Sequence, residues 1–192
     1  MPDNPQKPRV VFLTGKITNL RPVLKEEIPL VTKWINDPEV RQFLHVTFPR
    51  TEREEEEWYN KIGANDENLT LCIETKDGKP IGIMSIHNID WVHRHGITGA
   101  LIGEKEYWGK GYGTDAKMHL LDHAFNTMNL NRIGSNAFEW NERSIRYSLR
   151  CGYKIEGRKR QHLCRNGKFW DLVELGILRE DWEPVWEKFK NS

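Results

Sequence analysis

The chain has 192 residues, and its 29 Lys plus Arg against 28 Asp plus Glu leave no global field that would hold it on a nucleic acid or an anionic membrane. That length fills one domain and is short for two, so a single domain over 1–192 is expected. Three cysteines, Cys72, Cys151 and Cys164, fit neither a metal knuckle nor a disulfide framework, which points to a reduced, cytoplasmic setting without a metal.

The first residues, MPDNPQKPR, are polar and proline-rich, and the apolar run at 10–13 is too short for a signal segment or a membrane span. About 1–14 is therefore expected to be a flexible lead. Residues 16–23 alternate as a strand, with Pro22 favouring an edge or an end. Ile28, Val31 and Ile35, with Trp34 beside them, repeat as an amphipathic helix that Asp37-Pro38 stops. A second helix is expected over 53–62, with Thr51 as N-cap and glutamates in the first turn, where the helix dipole favours them. LTLCIETK (69–76) and PIGIMSIH (80–87) flank Asp77-Gly78 and predict an antiparallel hairpin, followed by a third strand at 96–102.

Ala116, Leu120, Leu121, Ala124, Phe125 and Met128 then recur at helical spacing. Residues 132–138 read as a short strand and 141–151 as a helix that Gly152 ends. Strands at 153–163 and 169–178 flank Asn166-Gly167, a type I′ hairpin signal, and Trp182, Val185, Trp186 and Phe189 mark a final helix. This order predicts a mixed α/β fold, a mostly antiparallel sheet with one parallel crossover.

The stretch EYWGKGYGTDA (106–116) packs three glycines into a strand-to-helix turn. Backbone N–H groups at a helix start lack intrahelical partners, and the dipole makes that end electropositive. Glycines let an anion approach that backbone. Gly109, Gly111 and Gly113, with the Thr114 hydroxyl and the Lys110 charge, thus suit a phosphate or pyrophosphate; a purely structural turn is the alternative. Neither the P-loop pattern nor the dinucleotide G-x-G-x-x-G fits.

From about 18 to 182 the chain resembles the GNAT superfamily of acetyl-CoA-dependent N-acetyltransferases, in its RimJ/RimL-like branch. NLRPVLKEEIPLVTKWINDPEV resembles that branch's opening strand and helix, EYWGKGYGTDA its pyrophosphate loop, NERSIRYSLRCGYKIEG its second coenzyme segment and NGKFWDLVELGILREDW its closing hairpin. Trp108 stands where the general loop pattern has Arg or Gln. The resemblance implies a central sheet flanked by helices, with a splayed parallel pair at the coenzyme site. It implies acetyl-CoA as cosubstrate, held by Leu101, Ile102, Gly103, Trp108, Gly109, Lys110, Gly111, Tyr112, Gly113, Thr114, Asn141 and Ser144. One of Arg143, Arg146 and Arg150 would meet the 3′-phosphate, unless all three form a solvated face.

Acetyl transfer to an amine needs a neutral nucleophile, a donor to the carbonyl oxygen and a proton for the departing thiolate. Many family members supply that proton from a tyrosine seven residues after the asparagine; here that position is Ser148, and Tyr147 lies one residue early. Ser148, Tyr147 or water are the candidates. Glu139, expected near the gap between the parallel strands, is the candidate base, and Glu174 is the other notable carboxylate. His87, Asp90, His93 and His95 read as turn residues at an acceptor entrance. The resemblance implies direct transfer in a ternary complex to a protein N-terminal α-amine or a small-molecule amine such as a polyamine or amino sugar. The displaced tyrosine motivates an alternative, a catalytically weak acetyl-CoA-binding regulatory module. The acidic run Glu54 to Glu57, Trp58, Trp91 and Trp140 are candidate pocket residues, and the eight tryptophans leave room for a homodimer face.

Overall fold

The computed structural model describes residues 10–192. Of the lead expected over 1–14, residues 1–9 lie outside the described residues. Leu13–Thr14 differ from that expectation: they form a short strand, β1, paired antiparallel with β2, Thr18–Pro22. Three helices follow, α1 (Ile28–Asn36), α2 (Pro38–Arg41) and α3 (Glu52–Tyr59). Asp37-Pro38 ends α1 as the sequence predicts, yet it also starts α2. A proline at the first helical position has no N–H to leave unpaired, and Asp37 Oδ1 accepts a hydrogen bond from Glu39 N at 2.8 Å. In α3 the Thr51 cap is reciprocal: Thr51 Oγ1 accepts from Glu54 N at 3.3 Å, and Glu54 Oε2 accepts from Thr51 N at 2.9 Å.

The remaining elements are β3 (Leu69–Thr75), β4 (Pro80–Asp90), β5 (His95–Ile102), α4 (Tyr112–Asp122), β6 (Arg132–Phe138), α5 (Glu142–Arg150), β7 (Lys154–Arg165), β8 (Lys168–Leu178) and α6 (Arg179–Lys190). A π turn, His123–Thr127, prolongs α4 and keeps Ala124 and Phe125 buried beside Leu120 and Leu121. Among the described residues the strands form one sheet in the order β1-β2-β3-β4-β5-β6-β8-β7, antiparallel everywhere except between β5 and β6. Asn166 and Gly167 both take positive φ between β7 and β8, as a type I′ turn requires. At Asp77-Gly78 only the glycine does, and the register shifts at Ile73/Glu74, so that hairpin closes with a bulge.

Leu20, Ile73, Ile81, Met84, Ile86 and Ile133 of the sheet pack with Ala116, Leu120, Leu121 and Phe125 and with Trp182 of α6 to form the core. Beside it lies a buried ion cluster. Arg21 Nε donates to Glu74 Oε2 at 2.6 Å and Arg21 Nη1 to Glu27 Oε2 at 3.0 Å, tying α1's entry to β2 and β3. All three side chains are at most about one-tenth exposed. Removing the guanidinium would strand two carboxylates out of water, so Arg21→Met is expected to lower stability by about 3–5 kcal/mol. Urea unfolding with an unchanged m-value checks this; a loss below about 1 kcal/mol would rule the cluster out as a keystone.

Candidate active site

Strands β5 and β6 pair only at His95↔Arg132, Gly96↔Ile133 and Ile97↔Gly134. Beyond them the strands part, and the opening is a cavity of about 540 Å³. Thr98 to Leu101 and Ser135 to Phe138 form two walls; α1, α3 and the loop at 43–46 form the others. A smaller cavity of about 140 Å³ lies between Val40, Phe43, the end of β5, the glycine turn and α5. Asn141, Ser144 and Tyr147 line both, so they stand at the junction.

The glycine turn has the geometry that an anion seat needs. Gly109 has φ 73° and Gly111, the N-cap of α4, has φ 91°, conformations an L side chain resists. A Cβ at Gly109 would meet nothing within 4 Å, so packing does not explain that glycine. Gly109, Gly111, Gly113 and Thr114 line the smaller cavity, while Arg150 and Lys16 border the turn, Lys16 Nζ donating to Phe189 O and to Ser192 O and Oγ. Asp115 fixes the near wall: its carboxylate accepts from the backbone N–H groups of Lys16, Ile17 and Thr18 at 2.9–3.0 Å and from Thr18 Oγ1 at 2.6 Å.

Not every expected coenzyme residue lines this cavity. Leu101, Ile102 and Trp108 do, but the Ile102 carbonyl already accepts from Trp108 Nε1 at 2.7 Å. Gly103 does not: its N–H donates to Ile81 O at 2.9 Å, and a Cβ there would fall 2.0 Å from Trp34 Cγ, so that glycine serves packing. Tyr112 turns inward against Tyr107, ring centroids 4.9 Å apart, and Lys110 is exposed outside both cavities. The three arginines of α5 separate cleanly. Arg146 is spent on Glu142 at 2.7 Å, whereas Arg143, stacked on Trp108 at 3.8 Å, and Arg150 both line the smaller cavity. Asn141 also caps α5, its Oδ1 accepting from Ser144 N at 3.2 Å.

The catalytic candidates divide as sharply. Tyr147 lines both cavities, and its hydroxyl, like that of Ser148, is buried without a hydrogen-bond partner among the described residues. Burial, then Cys151 and Tyr153, push its pKa well above the ordinary tyrosine value, so it stays protonated. Ser148 is fully buried and lines neither cavity. Glu139 is drawn away from the gap, accepting from Arg158 at 3.4 Å and from Asp171 N at 3.2 Å, and lines neither cavity. Glu174 is paired with Lys159 at 2.9 Å. Only His93 lies in the turn after β4; it stacks on His95, the first residue of β5, and its N–H donates to Oδ1 of Asp90, the last residue of β4. Among the described residues no group of three or more His, Cys, Asp or Glu could hold a metal ion.

His87 departs from the turn reading. It lies within β4, and its ring crosses Gly99 of β5, where a Cβ would sit 3.4 Å from His87 Cε1. Burial holds its pKa below the ordinary histidine value, so it is a free base at neutral pH. Glu54, Glu55, Arg50, His45, Trp58 and Lys117 also line the larger cavity, whereas Trp91 and Trp140 do not. Burial raises the Glu55 pKa, and Glu54, bonded to Thr51, is held below the ordinary carboxylate value.

A family model described as an acetyltransferase (GNAT) domain matches residues 18–154. The protein YdaF of Bacillus subtilis (strain 168), named as a ribosomal N-acetyltransferase, is 39% identical over 107 residues, which span 56% of this chain and 58% of that protein. The SPbeta prophage-derived N-acetyltransferase YokL of the same strain is 25% identical over 175 residues, 91% of this chain and 97% of that one. Among solved structures, the spermidine N-acetyltransferase of Vibrio cholerae in complex with CoA and spermine superposes with a TM-score of 0.80 at 22% identity, over 86% of this chain and 97% of that one, a likeness of fold.

Proposed function

Since the chain belongs to the acetyltransferase (GNAT) domain family and is by that membership an acetyl-CoA-dependent N-acetyltransferase, we propose that it transfers acetyl directly to a small-molecule primary amine in a ternary complex. The observation that carries this is the buried, unpartnered Tyr147 hydroxyl at the junction of the two cavities. A buried donor without a partner is costly, and a ligand spanning both cavities would satisfy it.

Acetyl-CoA, when bound, supplies an activated acyl group. The backbone N–H groups at the start of α4, opened by Gly109 and Gly111, would hold the pyrophosphate, with Arg150 supplying charge. Asn141 and Ser144 border the path between the cavities. His87 takes a proton from the amine, and Tyr147 Oη gives one to the departing sulfur, so the C–N bond forms as the C–S bond breaks with protons balanced. Tyr147 at the junction meets the need that motivated the binding-module alternative.

Glu55 on one wall, beside Glu54, which Arg50 already pairs at 3.3 Å, favours a cationic acceptor that carries a second ammonium, and the relatives named spermidine N(1)-acetyltransferase fit this class, whereas YdaF is named for ribosomal acetylation. A RimJ/RimL-like placement rests on the four sequence segments that resemble that branch, with Trp108 in the loop, and carries a protein α-amine as its alternative acceptor. Release of free CoA with spermidine, glucosamine and a short peptide tests the choice: turnover of the peptide alone would transfer the proposal to protein N-termini.

His87→Gln keeps the side-chain size while removing the base. It is expected to lower kcat/KM about a hundredfold. Wild-type activity should fall as pH drops through a pKa below the ordinary histidine value, and this acid limb should be missing in the variant. An unchanged limb would assign it to another group.

A further inference from the structure

Lys117 is an unusual residue in this fold. It stands on α4, one turn beyond Gly113, and is only 1% exposed. Its Nζ has no hydrogen-bond acceptor and no carboxylate partner among the described residues. It rests instead on two aromatic faces, 4.4 Å from the centroid of Tyr147 and 4.6 Å from that of Tyr153. The side chain lines the larger cavity beside Tyr147. A buried ammonium is costly to a fold, and cation–π contacts recover only part of that cost. Replacing such a charge by an apolar group of similar shape commonly stabilises a protein, so core packing does not call for a lysine here.

What the position does call for is chemical. Breaking the C–S bond sends an electron pair to sulfur. If Tyr147 protonates it, the charge moves to the phenolate; if not, it stays on the thiolate. Either way one negative charge appears at the junction, away from bulk water, where a fixed opposite charge acts strongly. Resting on the proposed acetyl transfer, we propose that the Lys117 ammonium is the counter-charge for that anion, acting through the Tyr147 ring on which it lies. It touches neither sulfur nor acceptor, and is a positioning residue rather than a catalytic one.

The groups facing Lys117 are few. Tyr147 comes from α5 and Cys151 caps its C-terminal end, with burial pushing the thiol up to about 11, and Tyr153 follows with its hydroxyl 2.8 Å from Thr98 Oγ1 of β5. Across the cavity stand His45, His87, Glu54, Glu55 and Arg50. Burial lowers the Lys117 pKa to about 8. The ammonium is thus the main form at pH 7 and is lost as pH rises through about 8.

Lys117→Met tests the proposal, with Lys117→Gln as a second uncharged variant. Both should bind acetyl-CoA as the wild type does, while kcat falls tenfold or more, by about the effect of losing a charge-stabilising donor. The wild-type kcat should decline above about pH 8, and this alkaline limb should vanish in both variants. Equilibrium binding gives a readout that turnover does not: wild-type affinity for CoA relative to acetyl-CoA should increase from pH 7 to 8, as the bound thiol ionises beside the ammonium, and the variants should show a flat ratio. Retained kcat with an intact alkaline limb in either folded variant would overturn the role of Lys117 alone. A wild type that fails to bind acetyl-CoA would overturn it together with the reading it rests on.

Discussion

Acetyl-CoA is expected to raise the melting temperature of the wild-type chain and to leave that of Gly111→Glu unchanged. At a hundredfold excess over Kd, a ligand that binds only the native state stabilises it by about 2.7 kcal/mol. For a domain of this size that is a shift of several degrees. Gly111 is the N-cap of α4 at φ 91°, so its backbone borders the proposed pyrophosphate seat. Glutamate there adds negative charge where the helix start offers its positive end. The substitution also carries a strain cost of about 1–2 kcal/mol for a left-handed non-glycine residue, which lowers the baseline melting temperature in the absence of ligand. That cost is separable from the lost ligand shift. The variant should still fold, because a Cβ at Gly111 meets only Ile17 Cδ1, at 3.8 Å. Gly111→Asn is a milder control, since asparagine tolerates left-handed backbone and adds no charge; it should keep part of the shift. Equal stabilisation of wild type and Gly111→Glu would return the glycines to a purely structural turn.

The sequence carried the frame of this site better than its chemistry. Element order and the strand-to-helix glycines were legible because hydrophobic period and turn residues are local signals. The phase of α5 was less so. Arg143, Ser144, Tyr147 and Arg150 share a stripe on a helix turning about 100° per residue, and that stripe faces the cavities. Counting seven from Asn141 leads to Ser148, on the buried side. Asn141 has ψ 58° and is not yet helical, so a count from it does not by itself give the phase. Glu139 was a matter of tertiary pairing: Arg158 of β7 reaches it across the sheet, and no spacing within 132–141 reports that.

Two residues missed by motif were nevertheless visible by period. Ile83, Ser85 and His87 alternate along β4 on the face opposite Met84 and Ile86, so a histidine within a strand's polar face pointed to the opening rather than to a turn. Lys117 falls four residues before Leu121 and three before Leu120, on the apolar stripe of α4. A lysine on a core stripe is a local contradiction of the kind that functional sites produce.

Tyr147→Phe is expected to lower kcat about a hundredfold, the lower end of what a positioned proton donor supplies, and to leave acetyl-CoA affinity unaltered. Ser148→Ala should change kcat by less than about threefold. The contrast follows from position. Tyr147 lines both cavities and Ser148 lines neither, although both hydroxyls are buried without a partner among the described residues. Burial keeps Tyr147 protonated beyond the ordinary tyrosine range, so the phenol itself should contribute no alkaline limb below about pH 10. Any decline nearer pH 8 then belongs to Lys117, and it should persist, on a lower baseline, in Tyr147→Phe, because thiolate left unprotonated still needs a counter-charge. A thioester whose thiol is more acidic needs less help in leaving, so such an analogue should narrow the gap between wild type and Tyr147→Phe while leaving Ser148→Ala unchanged. The reverse pattern, a large loss in Ser148→Ala and none in Tyr147→Phe, would assign the proton to the serine and detach Lys117 from the chemical step.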